Sequence, residues 1–348
     1  MITMILVFIV FISIFQSISC SDEHLNDRIV LAITACGKKA KYHLPSFLGS
    51  LLETQPKQTR SRLALYLFGD DEIWKTFHNT GCFKTLKSHF QSLTYQNLSN
   101  YSFKEGGSSL LSRYWKFDSR YACASFKLNM ITMLPTSINR LIYMDIDTII
   151  FEDLANLYSY FIIHPGKIMY LAMESYRETF GYYANPKWNS SGKNHFYQPT
   201  GVNSGVILMN LDLMRRLEPP LNFETFIRMN DEPITMGDQD LFNTWSYYNT
   251  NQVYILPCKW NRRSDSSCSS GETTIASNGK SSPIWNGFDE FEQAGGILHA
   301  SRRVFMRHVI YPRHYELYTN KTQDFYRKTC NLSHVIQTGK RGNSVYIN

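Results

Sequence analysis

The sequence predicts an α/β protein with a mostly parallel central sheet flanked by helices. Short apolar runs with strand character alternate with amphipathic stretches of helical spacing, the pattern that builds a parallel sheet covered by helices. The run RLIYM ends in two acids, Asp145 and Asp147, where ligands sit in open α/β sheets, outside the carboxyl ends of the strands. With 348 residues, 43% of them hydrophobic, the chain has enough apolar side chains for one large core or two ordinary ones.

Each element follows in order. RIVLAITAC (28–36) reads as a buried first strand, turned at Gly37 into an amphipathic helix through LPSFLGSLLET (44–54). RLALYLFG (62–69) reads as a second strand, and DDEIWKTFHNTG as a short helix closed by Gly81. SRYACASFKLNMITML (119–134) has helical spacing and stops at Pro135; RLIYM follows as a strand. In the second half KIMYLAMES (167–175) reads as a strand, 183–199 as a polar and aromatic loop, and GVNSGVILMNL (201–211) as another strand. The residues on either side of Pro219-Pro220 read as helical, and DQDLFNTWSYY (238–248) as a helix with an acidic start. QVYILP is a strand, 266–283 a Ser/Gly-rich surface loop, and AGGILH (294–299) a last short strand. No repeat or linker divides the chain, so 28–330 reads as one catalytic domain, with 331–348 as a tail.

Charge and cysteines narrow the function classes. The net charge of +7 is spread along the chain without a basic tail, which argues against a nucleic-acid partner. The first 20 residues are nearly all apolar through Phe15, and Ser17-Ile18-Ser19 has the small-x-small character of a cleavage site. A cleaved signal peptide is expected; an uncleaved anchor through residues 4–19, giving a type II membrane protein, is the second reading. Both put the remainder in the secretory lumen, endoplasmic reticulum or Golgi, or send it out. Sequons at Asn97, Asn100, Asn189, Asn320 and Asn331 agree. Without Cys20, six cysteines remain, an even number that suits disulfides, and sequence does not choose among their 15 pairings. The local pair Cys258 and Cys268 is the first expectation.

Five segments carry polar groups with chemical potential. Asp145-Ile146-Asp147 forms a D-x-D in which both acids can reach a hard cation and a diphosphate held on it; the alternative is a strand ending in solvated acids. Asn203 lies between two glycines at a strand start, where backbone can approach a ligand closely, or where a turn needs an Asn. Asp238-Gln239-Asp240 opens a helix and serves either as a cap or as a sugar contact. His299 ends an apolar run, where an imidazole could complete a metal site or simply hydrogen-bond. Lys127 precedes the D-x-D strand and pairs with phosphate or points into water.

In order and wording these segments resemble glycosyltransferase family 8, retaining enzymes of the GT-A fold, and within it the glucoside xylosyltransferase branch. The resemblance runs from about Val30 to His299 through AITACGKKAKYHLPSFLGSLL, CASFKLNMITMLP, NRLIYMDIDTIIFEDL, GVNSGVILMNLDLMRR, GDQDLFN, LPCKWNRR and GGILHASRR. It implies that Asp145, Asp147 and His299 bind a divalent cation, usually Mn(2+), which bridges the diphosphate of a UDP-sugar donor across the D-x-D. It implies that Ala32, Thr34, Ala35, Cys36 and Gly37 line a uridine pocket and that Lys127 contacts donor phosphate or sugar. Asn203, Ser204, Asp238 and Gln239 would surround the transferred sugar, and Trp260 and Asn261 would lie near the acceptor or the donor's far side. Where the family has glycine and then lysine after its metal histidine, this chain has Ala300-Ser301-Arg302-Arg303, so Arg302 or Arg303 would replace the lysine. The implied reaction moves xylose from UDP-xylose to O-linked glucose on a glycoprotein, such as one with EGF-like repeats. Another donor, UDP-glucose or UDP-galactose, and an inactive carbohydrate-binding protein are the alternatives.

Overall fold

The computed structural model describes residues 28–37, 40–79, 81–98, 123–175, 182–184, 195–218, 221, 223, 234, 236–263, 295–300 and 312–330. The N-terminal apolar run, Arg302, Cys268 and the tail after 330 lie outside the described residues. Among the described residues no helix is long and apolar enough to cross a membrane.

A seven-stranded sheet carries the fold, in the order β3-β2-β1-β4-β7-β6-β8. Its strands are β1 (Ile29–Ala35), β2 (Leu63–Gly69), β3 (Ser92–Asn97), β4 (Arg140–Asp145), β6 (Met169–Met173), β7 (Val202–Asn210) and β8 (Val253–Ile255). Of these seven, β7 runs against the other six, being antiparallel to both of its neighbours, β4 and β6. The mostly parallel sheet expected from the alternation is therefore present. β1 and β2 are buried along their whole length, as central parallel strands must be when helices cover both faces.

Strand periodicity divides the core in two. Ile29, Leu31, Ile33, Leu63, Leu65, Leu67, Ile142 and Met144 face one layer. Val30, Ala32, Ala64, Tyr66, Leu141 and Tyr143 face the other. The first layer is roofed by α1 (Ala40–Thr54), against which the C-terminal helix (Pro312–Thr329) packs so closely that a Cβ on Gly49 would run into the Lys321 carbonyl. That C-terminal helix has no counterpart in the sequence reading. Its hydrophobic residues are sparse, and Leu317, Tyr318, Phe325 and Tyr326 suffice to bury one face.

Other departures have local causes. α1 begins at Ala40, four residues before the expected apolar run, because Gly37 (φ +77) turns the chain early. From Cys123 the expected helix over 119–134 winds instead as a 3-10 segment, Ser125–Asn129, followed by one α-turn, Met130–Met133. Its start is tied to the first βα turn by the Cys36–Cys123 disulfide, and Lys127 is turned inward. A second disulfide, Cys82–Cys330, joins the short helix Cys82–Lys87 to the end of the C-terminal helix. Cys258 is also disulfide-bonded. A small second sheet, β5 (Thr148–Ile150), β10 (Ile297–His299) and β9 (Arg262–Arg263), sits past the end of β4. Strands of two or three residues are too short to show a period, and β5 and β9 have no counterpart in the sequence reading.

Candidate metal and sugar-nucleotide site

Asp145 is the last residue of β4, beside Thr34 of β1, so the two central parallel strands deliver it to the carboxyl end of the sheet. The chain then turns through Ile146 and Asp147, held by Thr148 Oγ1 donating to the Asp145 carbonyl at 2.8 Å. β5 leaves that turn and pairs antiparallel with β10, matching Thr148 with His299. Ala300 N donates to the Asp147 carbonyl at 2.9 Å, completing the hold. A distant histidine is thus brought to the D-x-D by backbone pairing.

One ligand atom from each of Asp145, Asp147 and His299 lies within 4.8 Å of the others, and His299 Nε2 stands 3.4 Å from Asp147 Oδ1. The two carboxylates keep a quarter to a third of their side-chain surface open, 25% and 31%. Burial pushes the Asp145 carboxyl up in spite of the Lys127 ammonium beside it. Burial acts the same way on Asp147, but the His299 imidazole outweighs it and holds that carboxyl below its ordinary value. Two carboxylates and one imidazole form a donor set of hard oxygens and a borderline nitrogen, which suits a divalent ion of the manganese kind.

Lys127 does not reach outward. Its Nζ contacts Asp145 Oδ1 at 2.9 Å, Asp238 Oδ2 at 2.9 Å and the Ser204 carbonyl at 3.0 Å, while standing 5.0 Å from the centre of the Tyr143 ring. Two of its protons are in hydrogen bonds, to Asp145 and to the Ser204 carbonyl, and the ammonium is ion-paired with Asp238 as well. Burial alone would lower its pKa, but the Asp145 and Asp238 carboxylates dominate and hold it well above the ordinary lysine range. In this arrangement the residue expected to meet donor phosphate instead ties the D-x-D to the helix that begins at Asp238.

That helix, Asp238–Tyr248, has Gly237 at the cap position, so Asp238 is not the cap. Ser204 Oγ donates to Asp238 Oδ2 at 2.7 Å. Ser204 gets there because β7 bulges: Leu171 and Ala172 of β6 are adjacent, yet pair with Ile207 and Asn203. The extra residues 204–206 swing toward β4, an example of a bulge re-aiming side chains at a site. Gly205 in that bulge faces the His299 ring, and a Cβ there would collide with it.

Asn203 is used up within the protein. Its Nδ2 donates to Glu174 Oε2 at 2.7 Å and to Gln239 Oε1 at 3.1 Å; its Oδ1 accepts from Gly205 N at 2.9 Å and from Asn261 Nδ2 at 2.8 Å. A carboxamide has two donors and two acceptor positions, so nothing is left for the sugar it was expected to touch. Gln239 is drawn into the same net, donating to Glu174 Oε2 at 3.1 Å. Glu174 is 3% exposed and forms an ion pair with Arg263 of β9. Deeper in the helix, Asp240 accepts from Tyr183 at 2.8 Å, and burial first, with Asp240 second, pushes that phenol far up.

The structure therefore gathers Lys127, Asp145, Asp147, Asn203, Ser204, Asp238, Gln239 and His299 into one connected cluster. Several residues expected to meet a ligand are instead engaged by the protein itself. Ala32 is mid-strand, buried, and paired with Tyr66 on one side and Tyr143 on the other, so neither its side chain nor its backbone faces a pocket. Trp260 is 1% exposed and packs into the core near Tyr160, whereas its neighbour Asn261 joins Asn203 to His299. The Cys36 sulfur is spent in a disulfide, and the Gly37 N–H donates to Asp70 Oδ2 at 2.7 Å. Thr34 and Ala35 stand at the end of β1, in register with Asp145 and Gly69 respectively. Sequence reasoning missed Glu174, Gly205 and Arg263. Glu174 had a signal, since it ends the apolar run KIMYLAM much as Asp145 ends RLIYM; Arg263 had none.

A model of the family described as "Glycosyl transferase family 8" matches residues 47–281, more than half of the chain and ending before His299. Glucoside xylosyltransferase 1 of Gallus gallus is 25% identical over 254 residues, 68% of this chain and 52% of that protein. Glucoside xylosyltransferase 2 of Xenopus laevis is 29% identical over 195 residues, 53% of this chain and 41% of that one. The chain spans about half the length of the curated relatives it matches. Among solved structures, the galactosyltransferase LgtC, crystallised with donor and acceptor sugar analogues, superposes with a TM-score of 0.54 at 12% identity, covering 89% of this chain and 98% of LgtC.

Proposed function

The chain belongs to glycosyltransferase family 8, and we propose that it is a retaining, metal-dependent transferase of the secretory lumen that moves xylose from UDP-xylose to O-linked glucose on a glycoprotein. The observation that carries the metal-dependent transfer is the convergence of Asp145, Asp147 and His299 at the carboxyl end of the sheet, beside Asp238. The donor sugar and the acceptor are supported by likeness to the glucoside xylosyltransferases. The disulfides Cys36–Cys123 and Cys82–Cys330 support an oxidising compartment.

Asp145, Asp147 and His299 would hold the cation, Mn(2+) being favoured by the mixed donor set. When bound, such an ion supplies Lewis-acid stabilisation of the charge that builds on a departing diphosphate. The protein groups that touch one another around it leave a charge to match: Asp145, Asp147, Asp238 and Glu174 are four acids against two fixed cations, Lys127 and Arg263.

Asp238 is the carboxylate closest in role to the transferred sugar. Both donors that reach it, Lys127 Nζ and Ser204 Oγ, fall on Oδ2, so Oδ1 is the oxygen for a sugar hydroxyl. A carboxylate clamped by an ammonium and a hydroxyl is a poor attacking group, which favours front-face attack by the acceptor hydroxyl over a double displacement through Asp238. Gln239 and Asn203 keep the bulge and the helix start in place beneath that oxygen.

The test is a panel of UDP-sugars incubated with Mn(2+), after chelation, and with Asp147→Asn. Consumption of UDP-xylose that disappears in both controls is the expected result. Consumption of UDP-glucose or UDP-galactose alone overturns the donor assignment, and glycan binding with no transfer under any condition overturns the enzyme.

A further inference from the structure

His299 can serve a metal only through a ring nitrogen that carries a lone pair, and which nitrogen does so depends on the proton at the other one. A chain of hydrogen bonds fixes that proton from a distance. It starts at Glu174, whose ionised carboxylate can only accept, with Arg263, which can only donate, holding it. Glu174 Oε2 therefore faces the NH2 of Asn203, at 2.7 Å. Asn203 Oδ1 is left to accept, and the Gly205 N–H, a donor that cannot reverse, imposes the same sense at 2.9 Å. Asn261 then turns its NH2 to Asn203 Oδ1 at 2.8 Å, which points its own Oδ1 at His299 Nδ1, 3.0 Å away. An oxygen facing Nδ1 requires Nδ1–H. With Nδ1 holding its proton, Nε2 is the nitrogen left to offer a lone pair; it stands 3.4 Å from Asp147 Oδ1, a carboxylate that draws a proton to Nε2 until a cation takes that place.

We propose that Glu174, Asn203 and Asn261, anchored by Arg263, form a directional relay that sets His299 in its Nδ1–H tautomer and so makes Nε2 the metal-facing nitrogen. The three are positioning residues: Glu174 and Asn203 do not touch His299, and act on it through Asn261. Every member is buried, at 2–4% exposure, so water does not compete for the bonds. The fold supplies the alignment, since Arg263 and His299 are register partners in β9 and β10, and Gly205 sits in the β7 bulge against the imidazole. The proposal rests on the metal reading of the site for its purpose, though not for its geometry.

The experiment is nitrogen NMR of the full chain labelled at histidine, metal-free and at alkaline pH where imidazoles are neutral, paired with Mn(2+) titration by calorimetry. The wild-type His299 ring is expected to carry a proton on Nδ1, whether or not Asp147 draws a second proton to Nε2. Glu174→Gln must turn an oxygen to Arg263 and hence an NH2 to Asn203, setting the relay against the Gly205 N–H. It should populate the Nε2–H form and weaken Mn(2+) binding by about 10–100-fold. Asn261→Leu removes the acceptor and should do the same. Asn261→Asp keeps an oxygen on Nδ1 and should preserve the tautomer even if stability falls, which separates relay from general damage. A wild-type ring with no proton on Nδ1, or a Glu174→Gln protein with unchanged tautomer and Mn(2+) affinity, overturns the relay. Should the tautomers follow this pattern while no UDP-sugar is consumed, the relay stands and the transferase reading falls.

Discussion

Gly205→Ala isolates the metal site with a single methyl group. Gly205 has no positive φ that would strain an alanine, so the cost is steric. A Cβ there would sit 2.9 Å from His299 Nε2 and closer still to Cε1 and Nδ1, against about 3.4 Å for ordinary contact. The ring must therefore retreat by about 1 Å or more to reach ordinary contact, and it cannot do so without lengthening the 3.0 Å bond to Asn261 or changing the 3.4 Å approach to Asp147. Ligand distances to a metal are tolerated within about 0.2 Å, so such a shift removes one of three protein ligands. Affinity for Mn(2+) should fall at least ~100-fold, equivalent to roughly 2.7 kcal/mol, while overpacking costs the fold about 1–3 kcal/mol. Calorimetry with Mn(2+) measures the first and thermal unfolding in chelator the second. Gly49→Ala, which collides with the Lys321 carbonyl and touches none of the three ligands, is the control that should lose stability and keep metal affinity per folded molecule. If Gly205→Ala binds Mn(2+) as wild type does, His299 is not a ligand and the site has been misassigned.

Lys127→Met strands the Asp145 and Asp238 carboxylates in a buried setting and should cost about 3–5 kcal/mol without metal; added Mn(2+) should raise its melting temperature more than it raises that of wild type, and an equal rise in both would refute the bridging role. Replacing Cys82 and Cys330 by serine releases a 248-residue separation and should cost about 2–4 kcal/mol with no change in Mn(2+) affinity, measured by denaturant unfolding and calorimetry. Alkaline pH should unfold the chain through its buried phenols. Burial pushes Tyr170 up to about 12 and Tyr326 higher still. Folding therefore favours their neutral forms: that stability is whole below the unfolded value near 10 and drains as pH rises from there toward the folded values. Ultraviolet titration should show tyrosinate appearing together with loss of the circular dichroism signal. Separate transitions, with tyrosinate forming in a folded protein, would contradict the burial.

The parallel strands β1, β2, β4 and β6 are legible in the sequence because each is a largely apolar run ending at a turn or an acid, and full burial leaves that signature. β3, SLTYQN, is polar and half-buried at the sheet edge and has no counterpart in the sequence reading. β5 and β9 are three and two residues long, so nothing in their composition distinguishes them from turns, whereas β10 shows as the end of the apolar run AGGILH. Yet β5 and β10 bring His299 to Asp147, so the cluster is suggested by resemblance while local pattern is silent about it. The roles of Lys127 and Asn203 escape a sequence reading for a related reason. Sequence shows that a residue can bind phosphate or sugar; it does not count how many of its hydrogen-bonding positions the protein itself consumes.

That count changes how the site must work. Lys127 is held by two hydrogen bonds and a further ion pair, and Asn203 has given all four of its bonding positions to protein partners, so neither can reach a substrate without breaking the net that places Asp145, Asp238 and His299. Among the described side chains of the cluster, Asp145 and Asp147 are the most open, with Oδ1 of the more deeply set Asp238 behind them. A surface with those acids turned outward repels a diphosphate unless a cation comes between them. Binding of the nucleotide should therefore depend on metal even where the uridine end has contacts of its own. The expected order is cation first and donor second, and a UDP titration by calorimetry with and without Mn(2+) reads it directly: equal affinity for UDP in chelator would show that the acids do not face the diphosphate.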